Sequence, residues 1–152
     1  MDGIIIFGAK YLYLVIVIAA LWYLFRQPQE LRWRIIYLAA IALPLTYGVA
    51  KIASIFYYDS RPFVVDNLTP LLPHVADNGF PSEHTLFGSA VAAVIILFQR
   101  KIGLILFFIA FLVGIARVFS GLHHFIDIFG SMCIALVTTY LVYKYIFPKK
   151  SL

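Results

Sequence analysis

The sequence predicts an all-α fold, an integral membrane bundle of about five transmembrane helices forming a single domain over residues 1–152. Three observations carry this. Hydrophobic residues make up 63% of the chain and charged residues 12%, against about 25% charged in soluble domains. The apolar residues fall in runs close to the ~20 residues that a helix needs to cross the hydrocarbon layer. The basic residues sit at the ends of those runs, where orientation signals sit, and form no stripe, so the net charge of +5 does not indicate nucleic acid.

The first run spans roughly Ile4 to Phe25, with Lys10 near its outer end, where the amine can snorkel to the interface. It lacks a basic leader and a small-residue cleavage site, and so reads as a retained span. The second, about Leu31 to Tyr57, is long enough to tilt or project, and Pro44 is expected to kink it. Next comes a connection of 23 residues, Tyr58 to Phe80. That exceeds ordinary loop length and predicts a functional loop with a short helix inside it. The third run, roughly Ser82 to Phe98, carries Gly88, Ser89, Ala90, Ala92 and Ala93, which let it approach its neighbours closely at the bundle centre. Ile102 to Phe119 makes the fourth run and His123 to Phe147 the fifth. The lone Cys133 lies in an apolar stretch and reads as a small buried or lipid-facing residue. Trp22, Tyr23, Trp33, Tyr57 and Tyr58 fit interfacial belts.

If the runs alternate, Arg26, Arg32, Arg34, Arg100, Lys101, Lys144, Lys149 and Lys150 share one side, which the positive-inside rule makes cytoplasmic together with the C-terminus. Asp2, the long connection and the Gly121 turn then face outward.

Charge within lipid-spanning sequence is expensive and marks function by default. Three groups of such residues converge on the predicted outer face: Lys51 with Arg61-Pro62; Phe80-Pro81-Ser82-Glu83-His84; and Arg117, His123 and Asp127. The second opens a helix, offering free N–H groups, the positive end of the dipole and a hydroxyl, the means by which a helix terminus binds phosphate. In the third, His123 and Asp127 are four apart and would share a helix face, so the carboxylate can hold one ring nitrogen while the other points away. Arg117 precedes the Ser120-Gly121 break and would look across the turn at the same imidazole.

A phosphoryl group in transfer spreads charge over three oxygens and needs forked donors, a nucleophile and an acid placed in line. Arginine suits the donor role because its planar fork binds two oxygens and keeps its charge. Of the two histidines, one must be neutral to attack and the other protonated to release the leaving group. Asp127 makes His123 the better nucleophile, leaving His84 as the acid.

These residues also carry a resemblance. The order Arg61-Pro62, Pro81-Ser82-Glu83-His84, Ala116-Arg117-x5-His123-x3-Asp127 resembles the signature of the type 2 phosphatidic acid phosphatase (PAP2) superfamily of membrane lipid phosphatases: Lys-x6-Arg-Pro, Pro-Ser-Gly-His, Ser-Arg-x5-His-x3-Asp. It covers roughly Lys51 to Gly130 and implies a PAP2-like phosphatase without metal or other cofactor. In that reading His123 forms a phosphohistidine, Asp127 orients it, His84 is the general acid, and Lys51, Arg61, Ser82 and Arg117 hold phosphate. Glu83, in place of the glycine, adds an anion at the phosphate site that could pair with an arginine or act on His84. Ala116 replaces the serine before the arginine. Nine residues separate Lys51 from Arg61 where the family has six, displacing Lys51 by about one turn and some 60° if the segment is helical throughout. Family members usually have six spans, so five imply a trimmed N-terminus.

The acidic residue before His84, with Arg-Pro-Phe-Val and the upstream Pro73-His74, resembles the undecaprenyl diphosphate phosphatase (bacitracin-resistance) branch. That implies a multi-pass protein of a bacterial cytoplasmic membrane, with a lipid diphosphate as substrate. Alternatives are another lipid phosphate (phosphatidylglycerophosphate, phosphatidic acid or lipid A 1-phosphate) or, in a different class, a non-hydrolytic transporter or binding protein for anionic lipid. A metal site would need His84 as third ligand beside His123 and Asp127, and the surrounding cations argue against it. His74, Asp59, Asp66 and Asp77 read as solvated loop residues, with His74 at the cavity entrance, and His124 as interfacial packing.

Overall fold

A computed structural model describes residues 1–148, and Lys149 and Lys150 lie outside the described residues. All the regular elements found there are helices. The first run is bent: α1 (Asp2–Lys10) and α2 (Leu12–Phe25) meet at 45° across Tyr11. The second run is α3 (Gln29–Phe56), which passes through Pro44 as one element. The long connection holds the expected short helix, α4 (Pro62–Val65). The third, fourth and fifth runs are α5 (Glu83–Ile96), α6 (Arg100–Phe119) and α7 (Phe125–Ile146).

α3, α6 and α7 are each long and apolar enough to cross a membrane, and α1 with α2 supplies a fourth span if the bent pair counts as one. At 14 residues α5 is shorter, yet it is the hub, packed against α2, α3, α6 and α7. Lipid tails are as apolar as leucine, so close contact and not water exclusion must hold such a helix in place. The sequence supplies the means: Gly88, Ser89, Ala90, Ala92 and Ala93 are all buried. Gly114 of α6 serves the same contact, because a Cβ there would strike Ile128 of α7 and press on Thr85 of α5.

The helix ends follow local chemistry. Pro28 precedes α3, and the Gln99 side chain accepts from the Lys101 N–H at 3.0 Å to cap α6. The other end of α6 closes in a Schellman turn: Leu122 N–H donates to Arg117 O, Gly121 N–H donates to Val118 O, and Gly121 takes φ +77°. Arg34 stacks on Phe147 at 4.9 Å, so the start of α3 and the end of α7 share one end of the bundle. The α6 start lies there too, and the three motifs occupy the opposite end.

Candidate active site

The Schellman turn sets the placement of both Arg117 and His123. Arg117 lies in the last turn of α6, and the reversal at Gly121 delivers His123 directly beneath its guanidinium. His123 is 2% exposed. Its Nδ1 lies 3.0 Å from Gly79 O and 3.2 Å from Asp127 Oδ2. Its Nε2 faces Arg61 Nη1 at 3.3 Å and Arg117 Nη2 at 3.2 Å. A guanidinium can only donate, so Nε2 is the acceptor and the proton sits on Nδ1, shared by the two oxygens. Burial first, then the charges of Arg117 and Arg61, push the His123 pKa down to about 2. The ring is therefore neutral, with its Nε2 lone pair directed at the two cations.

His123 and Asp127 meet, but not on a helix face. α7 begins only at Phe125, with His124 as N-cap, so His123 precedes the helix. Asp127 occupies the third helical position and reaches back to accept from the His124 N–H at 2.9 Å, satisfying an otherwise orphan donor. One carboxylate thus caps the helix and orients the imidazole.

Arg61 is 5% exposed and bonded through each of its three guanidinium nitrogens, which excludes a solvated loop charge. It donates from Nε to Asp77 Oδ1 at 2.7 Å, from Nη1 to Leu122 O at 3.0 Å and from Nη2 to Asn78 O at 3.4 Å. Burial opposes ionisation of Asp77, but its hydrogen bond to Arg61 and the arginine charge outweigh this and hold its carboxyl below the usual range. Arg117 is equally buried and less committed. It reaches Ala9 O at 3.5 Å as well as His123, while its Nε has no partner among the described residues. Arg61 is balanced by Asp77, whereas Arg117 has no carboxylate partner among the described residues and leaves a buried cation suited to an anion.

A cavity of about 250 Å³ opens onto this centre, lined among others by Arg61, Arg117, His123, His84, Lys51 and His74. Distant segments therefore converge as the sequence predicts, with both histidines on one cavity. The first turn of α5 enters its wall through Glu83 and His84. Ser82 does not line it: the fully buried hydroxyl lies 3.1 Å from Thr85 Oγ1, so its side chain braces the start of α5 from behind.

Comparison with known proteins identifies the family. Residues 33–151 match the PAP2 superfamily. The chain belongs to the PAP2 superfamily. This PAP2 protein is 31% identical over 147 residues to the undecaprenyl-diphosphatase BcrC of Bacillus subtilis, a match that covers 95% of the chain and 75% of the relative. It is 28% identical to the protein of Bacillus licheniformis named bacitracin transport permease protein BcrC, over 94% of the chain and 70% of that protein. In fold it resembles the crystal structure of the PAP2 type phosphatidylglycerolphosphate phosphatase from B. subtilis, with TM-score 0.55 and 24% identity over 97% of this chain and 75% of that one. The chain is accordingly a membrane phosphatase of the PAP2 type.

Within this PAP2 site several readings from sequence change. α3 ends at Phe56, so the three additional residues between Lys51 and Arg61 are taken up in extended chain and not in helix. Lys51 stays on the cavity wall, where its Nζ pairs with Glu83 at 2.9 Å, both side chains being more than half exposed. Glu83 thus finds a lysine and not an arginine. Exposed pairs contribute about 1 kcal/mol or less to stability, so Lys51→Ala is expected to leave the fold intact and, because Lys51 is exposed and at the rim of the buried pair of arginines, to lower phosphatase activity less than loss of either arginine. Steady-state rates of the three alanine variants check this ordering.

Asp59 and His124, which read from sequence as a solvated loop residue and as packing, pair with each other instead, Asp59 Oδ2 to His124 Nδ1 at 2.9 Å. With Asp127 they form a group whose ligand atoms lie within 4.8 Å of one another. That group differs from the set of His84, His123 and Asp127 that the sequence suggests. Asp59 Oδ2, His124 Nδ1 and Asp127 Oδ2 have protein partners, while Asp127 Oδ1 has none among the described residues. His74 lines the cavity as expected, and Asp66 is exposed.

Asn78 is a residue that the sequence does not single out. Its Oδ1 accepts from the N–H of Asp59 and of Phe80, each at 2.9 Å, and its Nδ2 donates to Ser54 O at 3.1 Å and Tyr57 O at 3.0 Å. All four bonds of the amide are used. They tie residues 77–80 to the end of α3 and hold Gly79 O over His123. The Asn78-Gly79 dipeptide is a turn signal, and it is the available clue. Phe80 clamps the same loop from the other side, lying so close to α7 that a Cβ at Gly130 would enter its ring.

Proposed function

We propose that this chain hydrolyses a polyprenyl diphosphate, undecaprenyl diphosphate first among candidates, to the monophosphate through a phosphohistidine on His123. One observation carries the reading: a neutral imidazole nitrogen lies where two buried guanidinium groups converge on a cavity that a second histidine also lines. Phosphorus arriving at Nε2 would place its oxygens among the donors of Arg61, Arg117 and the first turn of α5. Attack forms the N–P bond as the bridging P–O bond breaks, and His84 protonates the departing lipid phosphate. His84 then takes a proton from water, which cleaves the N–P bond to release inorganic phosphate and restore the imidazole. Asp127 accepts from Nδ1 throughout and stabilises the positive charge that His123 gains.

A diphosphate suits this machinery because its leaving group is a phosphate monoester with a pKa near ~6, which departs more readily than an alkoxide. The similarity to the B. subtilis undecaprenyl-diphosphatase supports the same substrate. An apolar groove of about 200 Å³ between α2, α3 and α5, lined by Leu24, Ile35, Leu43, Phe87 and Val91, offers a place for the tail. Phosphate release from a panel of lipid mono- and diphosphates, with and without chelator, tests the reading. The diphosphate is expected to be preferred and chelation to change nothing. Strong preference for a monophosphate would overturn the substrate, and inactivation by chelator the mechanism.

The basic ends of the helices lie opposite the cavity, so the site faces outward and the C-terminus the cytoplasm. A cysteine placed at Asp66, with Cys133 replaced, is expected to react with an impermeant reagent in intact cells; protection would reverse the orientation. The relative named for bacitracin transport keeps a second reading in view, anionic-lipid binding or transport without hydrolysis. His123→Ala separates the two, since a transporter would lose only affinity.

A further inference from the structure

His123 is held by contacts on both ring nitrogens. His84, on the same cavity and only partly buried, makes no side-chain hydrogen bond among the described residues. An imidazole that must deliver a proton to one oxygen needs a defined direction, and the torsion that sets its plane is intrinsically broad. The ring is met by Tyr13: the two centroids lie 5.1 Å apart with planes at 88°. The same phenol ring meets Phe87 at 6.4 Å and 77°. Residues 84 and 87 are three apart on α5, so Tyr13 spans one face of its first turn.

Tyr13 belongs to the first membrane unit, before the region 33–151 that matches the superfamily. The break at Tyr11 brings two parts of that unit to the site: Ala9 O, at the end of α1, meets Arg117 Nη1 at 3.5 Å, while Tyr13, at the start of α2, meets His84.

We propose that Tyr13 is a positioning residue for catalysis, its ring fixing the plane of the His84 imidazole so that the acid points at the leaving oxygen. This role rests on the phosphatase reading and gives it a determinant outside the three motifs. Edge-to-face contact is made by the ring and not by the hydroxyl, so phenylalanine preserves it and leucine does not.

The experiment compares Tyr13→Leu and Tyr13→Phe in purified protein on two substrates. One is a lipid monophosphate with an alkoxide leaving group; the other is an aryl phosphate whose leaving oxygen needs little protonation. For Tyr13→Leu the expected result is a fall in kcat of about tenfold on the lipid monophosphate and a smaller one on the aryl phosphate. KM and inhibition by inorganic phosphate should be unchanged, and Tyr13→Phe should retain most activity. Equal losses on both substrates, a Tyr13→Phe variant as impaired as Tyr13→Leu, or weakened inhibition by inorganic phosphate in Tyr13→Leu would overturn it. The last outcome would mean that the cavity itself had been disturbed. Wild-type protein that releases no phosphate from either substrate or from the polyprenyl diphosphate overturns the phosphatase reading along with this one. Active wild type with an unaffected Tyr13→Leu overturns only the positioning role.

Discussion

Alanine at position 123 is expected to leave a folded protein that still binds phosphate but releases none, with a loss of about 10⁴-fold or more. No other group can take over, because Nε2 of His123 is the only nucleophilic atom on which both guanidinium groups converge among the described residues. His84 shares the cavity but lacks that pair of donors and the Asp127 carboxylate. The substitution also frees Arg61 Nη1 and Arg117 Nη2 from their shared acceptor, so affinity for inorganic phosphate should be kept or raised while turnover disappears. Product inhibition or vanadate binding, measured beside phosphate release, reads the two effects separately. Residual turnover above about 1% of wild type would exclude the covalent route. Incubation of wild-type protein with labelled substrate followed by alkaline quench should trap an acid-labile phosphate on His123 and none in the variant.

Removing Arg117 should cost about 10³-fold in kcat/KM. This guanidinium is buried, carries the least complete set of partners at the site and lies 3.2 Å from the attacking nitrogen, so its spare donors suit the charge that grows on the phosphoryl oxygens. Lysine should recover little, since a single ammonium cannot reproduce the fork. Arg61→Ala should be comparably inactive and also less stable, because Asp77 and the carbonyls of Leu122 and Asn78 lose their donor together. Melting temperature in detergent distinguishes the pair: near wild type for Arg117→Ala, lowered for Arg61→Ala. Equal destabilisation by both would mean that Arg117 is chiefly structural.

Much of the site is legible in the sequence because its residues lie within short motifs whose spacing local geometry enforces. Arg117 and His123 are joined by one Schellman turn, and a turn containing glycine is visible in sequence. Ser82 and His84 come after a proline that announces a helix start. Less legible are contacts that close between segments with no shared period. Asp59 with His124 bridges 65 positions, and Asn78 reaches back more than 20 to the end of α3. Polar loop residues of this kind look alike whether they face water or each other. The register of Lys51 is obscured because nothing before Arg61 signals that α3 stops at Phe56 and the chain runs extended from there. The place of His123 just outside α7 is hidden for a related reason: an acidic residue four positions on suits a helix face and a capping carboxylate equally well.

The brevity of α5 bears on where a cavity can form in a bundle of this kind. Fourteen residues rise about 21 Å and the 20 of α6 about 30 Å, yet Arg117 near the end of α6 and His84 at the start of α5 line the same cavity. A central helix shorter than its neighbour leaves the space beyond its first turn free of backbone, and side chains from the surrounding segments can meet there with no helix to displace them.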